Sequence, residues 1–88
     1  MSTILIVEDE ERIARFIAKG LRAAGYTSTT ASSGGEAVDL AVHTPFDLII
    51  LDIGLPDIDG FAVLERLRGQ GLDTPVILLT ARTSVTDR

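Results

Sequence analysis

Cysteine is absent, which excludes a disulfide framework and any thiolate metal site. No apolar run approaches the roughly 20 residues that a membrane span requires. The opening residues, MSTILIVEDE, carry no basic leader and turn acidic almost at once, so they do not read as a signal peptide. These absences fit a cytoplasmic protein and give no reason to expect a membrane partner. Basic residues are also scarce: eight Lys and Arg stand against 13 Asp and Glu, for a formal net charge of −5. A nucleic-acid-binding domain normally shows a basic patch, so no direct nucleic-acid contact is expected of this one. Lysine occurs once, at Lys19.

What is present suffices for one small domain, residues 1–88, and 45% of the residues are hydrophobic, enough for a compact core. The chain is organised around FDLIILDIGLPDIDG, Phe46 to Gly60. Leu48 to Leu51 show no polar alternation and read as a strand buried on both faces, as in a parallel sheet covered by helices. That strand ends abruptly on Asp52, and the turn Gly54-Leu55-Pro56-Asp57 follows. Thr3 to Val7 forms a similar short run that ends on Glu8, Asp9, Glu10 and Glu11.

Between these strands the period changes. Ile13, Phe16, Ile17, Leu21 and Ala24 recur at helical spacing and predict a helix over Glu10 to Ala24, with Arg12, Arg15, Lys19 and Arg22 on its solvated side. Gly25 is its stop. Tyr26 to Ala31, rich in β-branched residues but weakly apolar, suits an edge strand. Ser33 with Glu36 has the spacing of a capping box, opening a helix from Gly34 to Val42 that buries Ala37, Val38 and Ala41. A third helix, Phe61 to Arg68, is expected to bury Phe61, Leu64 and Leu67 and to end at Gly69 and Gly71. Val76 to Leu79 reads as a fourth strand ending on Thr80, and Ser84 with Asp87 would open a fourth helix. Alternation of this kind implies an α/β fold with a parallel sheet and right-handed crossovers.

In a parallel sheet the carboxyl ends of the strands share one edge, where ligands of open α/β folds bind. Glu8 and Asp9, Asp52 and Thr80 are thereby drawn into one cluster. Two unit charges about 4 Å apart repel by roughly 4 kcal/mol at an effective dielectric near 20. A hard divalent cation such as magnesium compensates this repulsion, using a few carboxylate oxygens, waters and phosphate. A carboxylate facing outward beside the metal can attack phosphorus and form an acyl phosphate, and a hydroxyl can bond the phosphoryl oxygens. Asp57 and Asp59 read as turn or cap residues, and His43 as a surface residue.

The pieces ILIVEDE, DLIILDIGLPDIDG and PVILLTA, with their spacing and the LPD-x-x-G turn, resemble the receiver domain of two-component response regulators of the winged-helix transcription-factor class. The resemblance implies a flavodoxin-like, doubly wound sheet with the available strands in the order 2-1-3-4. It implies that Asp52 accepts a phosphoryl group from a sensor histidine kinase, with the first helix as the kinase's docking element. Asp9, Asp52 and the backbone carbonyl of Gly54 would ligate Mg2+ or Mn2+, Glu8 would act through water, and Thr80 would be the switch hydroxyl. The family carries a lysine at the end of a fifth strand, whereas Lys19 lies mid-helix. The chain therefore resembles a receiver cut before its end, with three helices and a stub of a fourth. The expected role is a signalling switch, not an enzyme, which regulates transcription through an output domain outside these residues. An open edge on the fourth strand would favour a homodimer or a swapped oligomer. Two other classes compete: a phosphorylation-independent interaction module, and an aspartate-nucleophile phosphohydrolase. The latter typically needs a second Asp two residues after the first, where this chain has Gly54, and its nucleophile belongs on the first strand.

Overall fold

The computed structural model describes residues 2–79. The expected Thr80 hydroxyl and the fourth-helix stub lie outside the described residues.

Four parallel strands and three helices alternate: β1 (Thr3–Val7), α1 (Glu11–Ala23), β2 (Thr27–Ala31), α2 (Gly34–His43), β3 (Leu48–Asp52), α3 (Gly60–Gly69) and β4 (Val76–Leu79). The sheet order is β2-β1-β3-β4, the flavodoxin-like arrangement expected, with weakly apolar β2 at an edge. The register aligns the strand ends: Val7 pairs with Ala31 and with Leu51, and Asp52 pairs with Leu79. Glu8 and Asp52 thus emerge together at the carboxyl edge.

One face of the sheet carries the main core. Leu5, Val7, Ile49 and Leu51 are fully buried against Ala37 and Ala41 of α2 and Val63 and Leu67 of α3. On the opposite face Ile4 and Ile6 are buried, but Ile50 is half-buried and Ile77 is 50% exposed. An unbroken apolar run therefore did not mean equal burial on both faces. Among the described residues α1 contacts β1 and β2 and leaves the β3–β4 side of this face open.

Two helices bury part of the stripe expected of them and expose the rest. In α1 the inward residue is Ala14, with Ile17 and Leu21 half-buried, while Ile13 and Phe16 are exposed. In α3 the buried residues are Gly60, Val63 and Leu67; Phe61 is 60% exposed and Leu64 half-buried. The phase of α3 is set by its start. Asp59 is the N-cap, its carboxylate accepting from Ala62 N–H at 2.8 Å. Gly60 then lies against the chain, because a Cβ there would come within 2.8 Å of Ile53 Cα and 2.9 Å of Asp52 O. With Gly60 inward, the next inward positions are Val63 and Leu67.

Ser33 caps α2 as expected, its Oγ accepting from Glu36 N–H at 3.2 Å. The reciprocal half of the capping box is displaced: Glu36 accepts from Ser32 N–H at 2.9 Å instead of from the cap residue itself. The helix stops behave as read. After α1, Gly25 takes φ +94, with Gly25 N–H donating to Arg22 and Tyr26 N–H to Leu21, the paired bonds of a Schellman ending.

Candidate metal and phosphoryl site

Three carboxylates meet where β1 and β3 end. Glu8, Asp9 and Asp52 each offer an oxygen, and these atoms lie within 4.8 Å of one another. Glu8 is 6% exposed, Asp52 is half-buried and Asp9 is open to solvent. The N-cap position of α1 is Glu10 and it makes no side-chain cap bond, so Asp9 does not cap the helix. Glu8 instead turns back, its Oε2 accepting from Glu10 N–H at 3.0 Å. Glu8 N–H donates to Ala31 O at 3.0 Å, tying the end of β1 to the end of β2.

Burial pushes the Glu8 carboxyl above its ordinary range, and the charges of Asp52 and Asp9 push it the same way, against the Glu10 N–H bond. The ion pairs among the described residues, Arg15–Glu11 and His43–Asp39, involve none of the three acids. A buried acid facing two others without a cationic partner is the donor set a small hard dication fits.

The loop from Ile53 to Asp59 shapes the rim of this cluster. Ile53 N–H donates to Leu79 O at 3.1 Å, and Gly60 N–H returns to Ile53 O at 2.9 Å, so the loop closes on itself at its base. Gly54 N–H donates to Asp52 Oδ1 at 3.2 Å, placing the Gly54 peptide beside the acid cluster. Asp57, read from sequence as a turn or cap residue, caps a helix other than its neighbour. Its Oδ1 accepts from Gly34 N–H and its Oδ2 from Gly35 N–H, both at 2.8 Å. These bonds hold its carboxyl down at about 2. The signal for this was in the chain: Ser33 serves only Glu36 N–H, and the two glycine N–H groups before it need an acceptor. Which acceptor supplies it, 22 residues downstream, follows only from the fold.

The model of the response regulator receiver domain matches residues 4–88 of the chain. The chain belongs to this family. The receiver is 48% identical over 85 residues to the uncharacterized transcriptional regulatory protein YkoG of Bacillus subtilis, which covers 97% of this chain and 37% of YkoG. It is 46% identical to the transcriptional regulatory protein TcrA of Mycobacterium tuberculosis, over 97% of this chain and 34% of TcrA. The chain thus spans little more than a third of the curated relatives it matches. Among solved structures, the response regulator TrrA of Thermotoga maritima, in complex with Mg2+ and BeF, superposes with a TM-score of 0.90 at 38% identity. That match covers 96% of this receiver and 73% of TrrA. The curated relatives carry the name of transcriptional regulatory proteins.

Proposed function

We propose that this receiver is a phosphoryl-accepting switch, with Asp52 as the acceptor and a sensor histidine kinase as the donor. The observation that carries the reading is the convergence of Glu8, Asp9 and Asp52 at one sheet edge, with no cationic side chain paired to them among the described residues. Asp9, Asp52 and the Gly54 carbonyl hold Mg2+ or Mn2+, and Glu8 acts through water. When bound, the cation offsets the negative charge gathered by the acids and the phosphoryl oxygens. An Asp52 carboxylate oxygen attacks phosphorus, the bond from phosphorus to the donor's nitrogen breaks, and the freed imidazole keeps the electron pair and takes up a proton. Thr80 follows Leu79, the register partner of Asp52, and is assigned the hydroxyl that answers the new phosphoryl group.

The domain is read as a non-enzymatic module working in the cytoplasm and controlling transcription through an output domain. By itself, the 88-residue chain also pairs through β4 as a homodimer or swapped oligomer. The outer edge of β4 has no strand partner among the described residues, and Ile77 on it is 50% exposed.

The test is incubation with acetyl phosphate and Mg2+, read by intact mass. One phosphoryl adduct on the wild type, absent in Asp52→Asn, supports the switch. No adduct on the wild type favours the phosphorylation-independent module.

A further inference from the structure

The β3–α3 loop carries the Gly54 carbonyl, yet among the described residues the hydrogen bonds that tie residues 55–58 to another element are the two that Asp57 accepts from α2. The first of the two helix donors sits in close packing. Gly34 is packed so tightly that a Cβ would overlap the Ile58 side chain and come within 2.8 Å of Val63 Cγ2. Just before α2, Ala31 O accepts from Glu8 N–H, so the β2–α2 junction is already fastened to the acid cluster from the β1 side. These bonds and the backbone between them run along the carboxyl edge: Glu8 to Ala31, on through Ser32 and Ser33 to Gly34 and Gly35, across to Asp57, and back along the loop to Gly54 and Asp52.

We propose that Asp57 is a positioning residue for the cation site, a clamp that fixes the β3–α3 loop on the first turn of α2 and so holds the Gly54 carbonyl beside Asp52. This inference rests on the metal-dependent switch described above. The clamp uses both carboxylate oxygens at once, so its geometry leaves the loop little freedom to rotate. Residues outside the ligand set that orient ligands are commonly worth tenfold or more in metal affinity, and about tenfold is expected here.

The experiment is a Mg2+ titration of the full chain, followed by the amide resonances of Asp52 and Gly54, with MgCl2 as the only added ligand. Asp57→Ala is expected to raise the Mg2+ dissociation constant about tenfold. Asp57→Asn, nearly isosteric and carrying one acceptor oxygen, is expected to shift it in the same direction and serves if the alanine variant does not fold. Ser33→Ala is the control: it removes a cap from the same helix turn without touching the loop, so it lowers stability and leaves the Mg2+ affinity unchanged. In the acetyl phosphate reaction, Asp57→Asn is expected to raise the half-saturating Mg2+ while keeping the rate at saturating Mg2+. Wild-type binding with equal affinity in Asp57→Asn and Ser33→Ala overturns the clamp alone. Absence of Mg2+ binding in the wild type overturns the metal reading and the clamp with it.

Discussion

Glu8 and Asp57 respond to acid in opposite senses. Asp57 has a folded pKa of about 2, below its ordinary 3.8, because two backbone N–H groups favour its charged form. Its contribution to stability is therefore complete above pH 3.8 and is lost as pH falls toward 2. Urea midpoints of wild type and Asp57→Asn, compared at several pH values, are expected to differ at neutral pH and to converge over that acid window. Glu8 is raised from 4.5, first by burial, so its contribution is present below that value and is lost as pH rises through the folded pKa. At neutral pH without metal, Glu8→Gln and Asp52→Asn should each raise the melting temperature by relieving repulsion. An unchanged melting temperature in both would contradict the crowding of the three acids. Glu8, Asp9 and Asp52 were legible in the sequence because strand ends are legible, and a parallel sheet gathers them. Asp57 was not, because its partners lie on a helix that only the packing of Gly34 against Ile58 brings near.

At the scale of elements, the strands appeared where the β-branched runs placed them, while helix phase did not follow from spacing alone. In α3 both Phe61 and Val63 offer an apolar position, and periodicity does not choose between them. The choice is made by Gly60, whose missing side chain lets the helix start press against Ile53 and Asp52 O. Two substitutions check that phase. Val63→Ala removes a side chain 0% exposed and is expected to cost roughly 2 kcal/mol. Phe61→Ala, at a position 60% exposed, is expected to stay within about 0.5 kcal/mol. Urea denaturation of both variants is the measurement, and a larger loss at Phe61 would contradict the observed rotation. The run Leu48–Leu51 carries a similar ambiguity. It marks a central strand correctly but does not tell which of its faces is covered, since that depends on helices elsewhere in the chain.

For the whole molecule, one face of the sheet is closed by α2 and α3, and among the described residues the other is covered by α1 mainly over β1 and β2. Among the described residues that side joins Ile50 and Ile77 to a β4 edge with no strand partner, a combination that favours association. Sedimentation of the 88-residue chain is expected to show mass rising with concentration, and Ile77→Lys is expected to suppress it. A monomer at high concentration would contradict pairing through β4. The topology itself was legible because β-α alternation admits few arrangements, and the order β2-β1-β3-β4 came with the family resemblance. That same order is what makes the carboxyl edge a single site. The central claim is that Asp52, and no other acid at that edge, receives the phosphoryl group. Reduction with borohydride after the acetyl phosphate reaction converts an aspartyl phosphate to homoserine, which peptide sequencing then locates. The account expects homoserine at position 52 in the presence of Mg2+ and none in its absence. Homoserine at position 9, or its formation without a divalent cation, would contradict it.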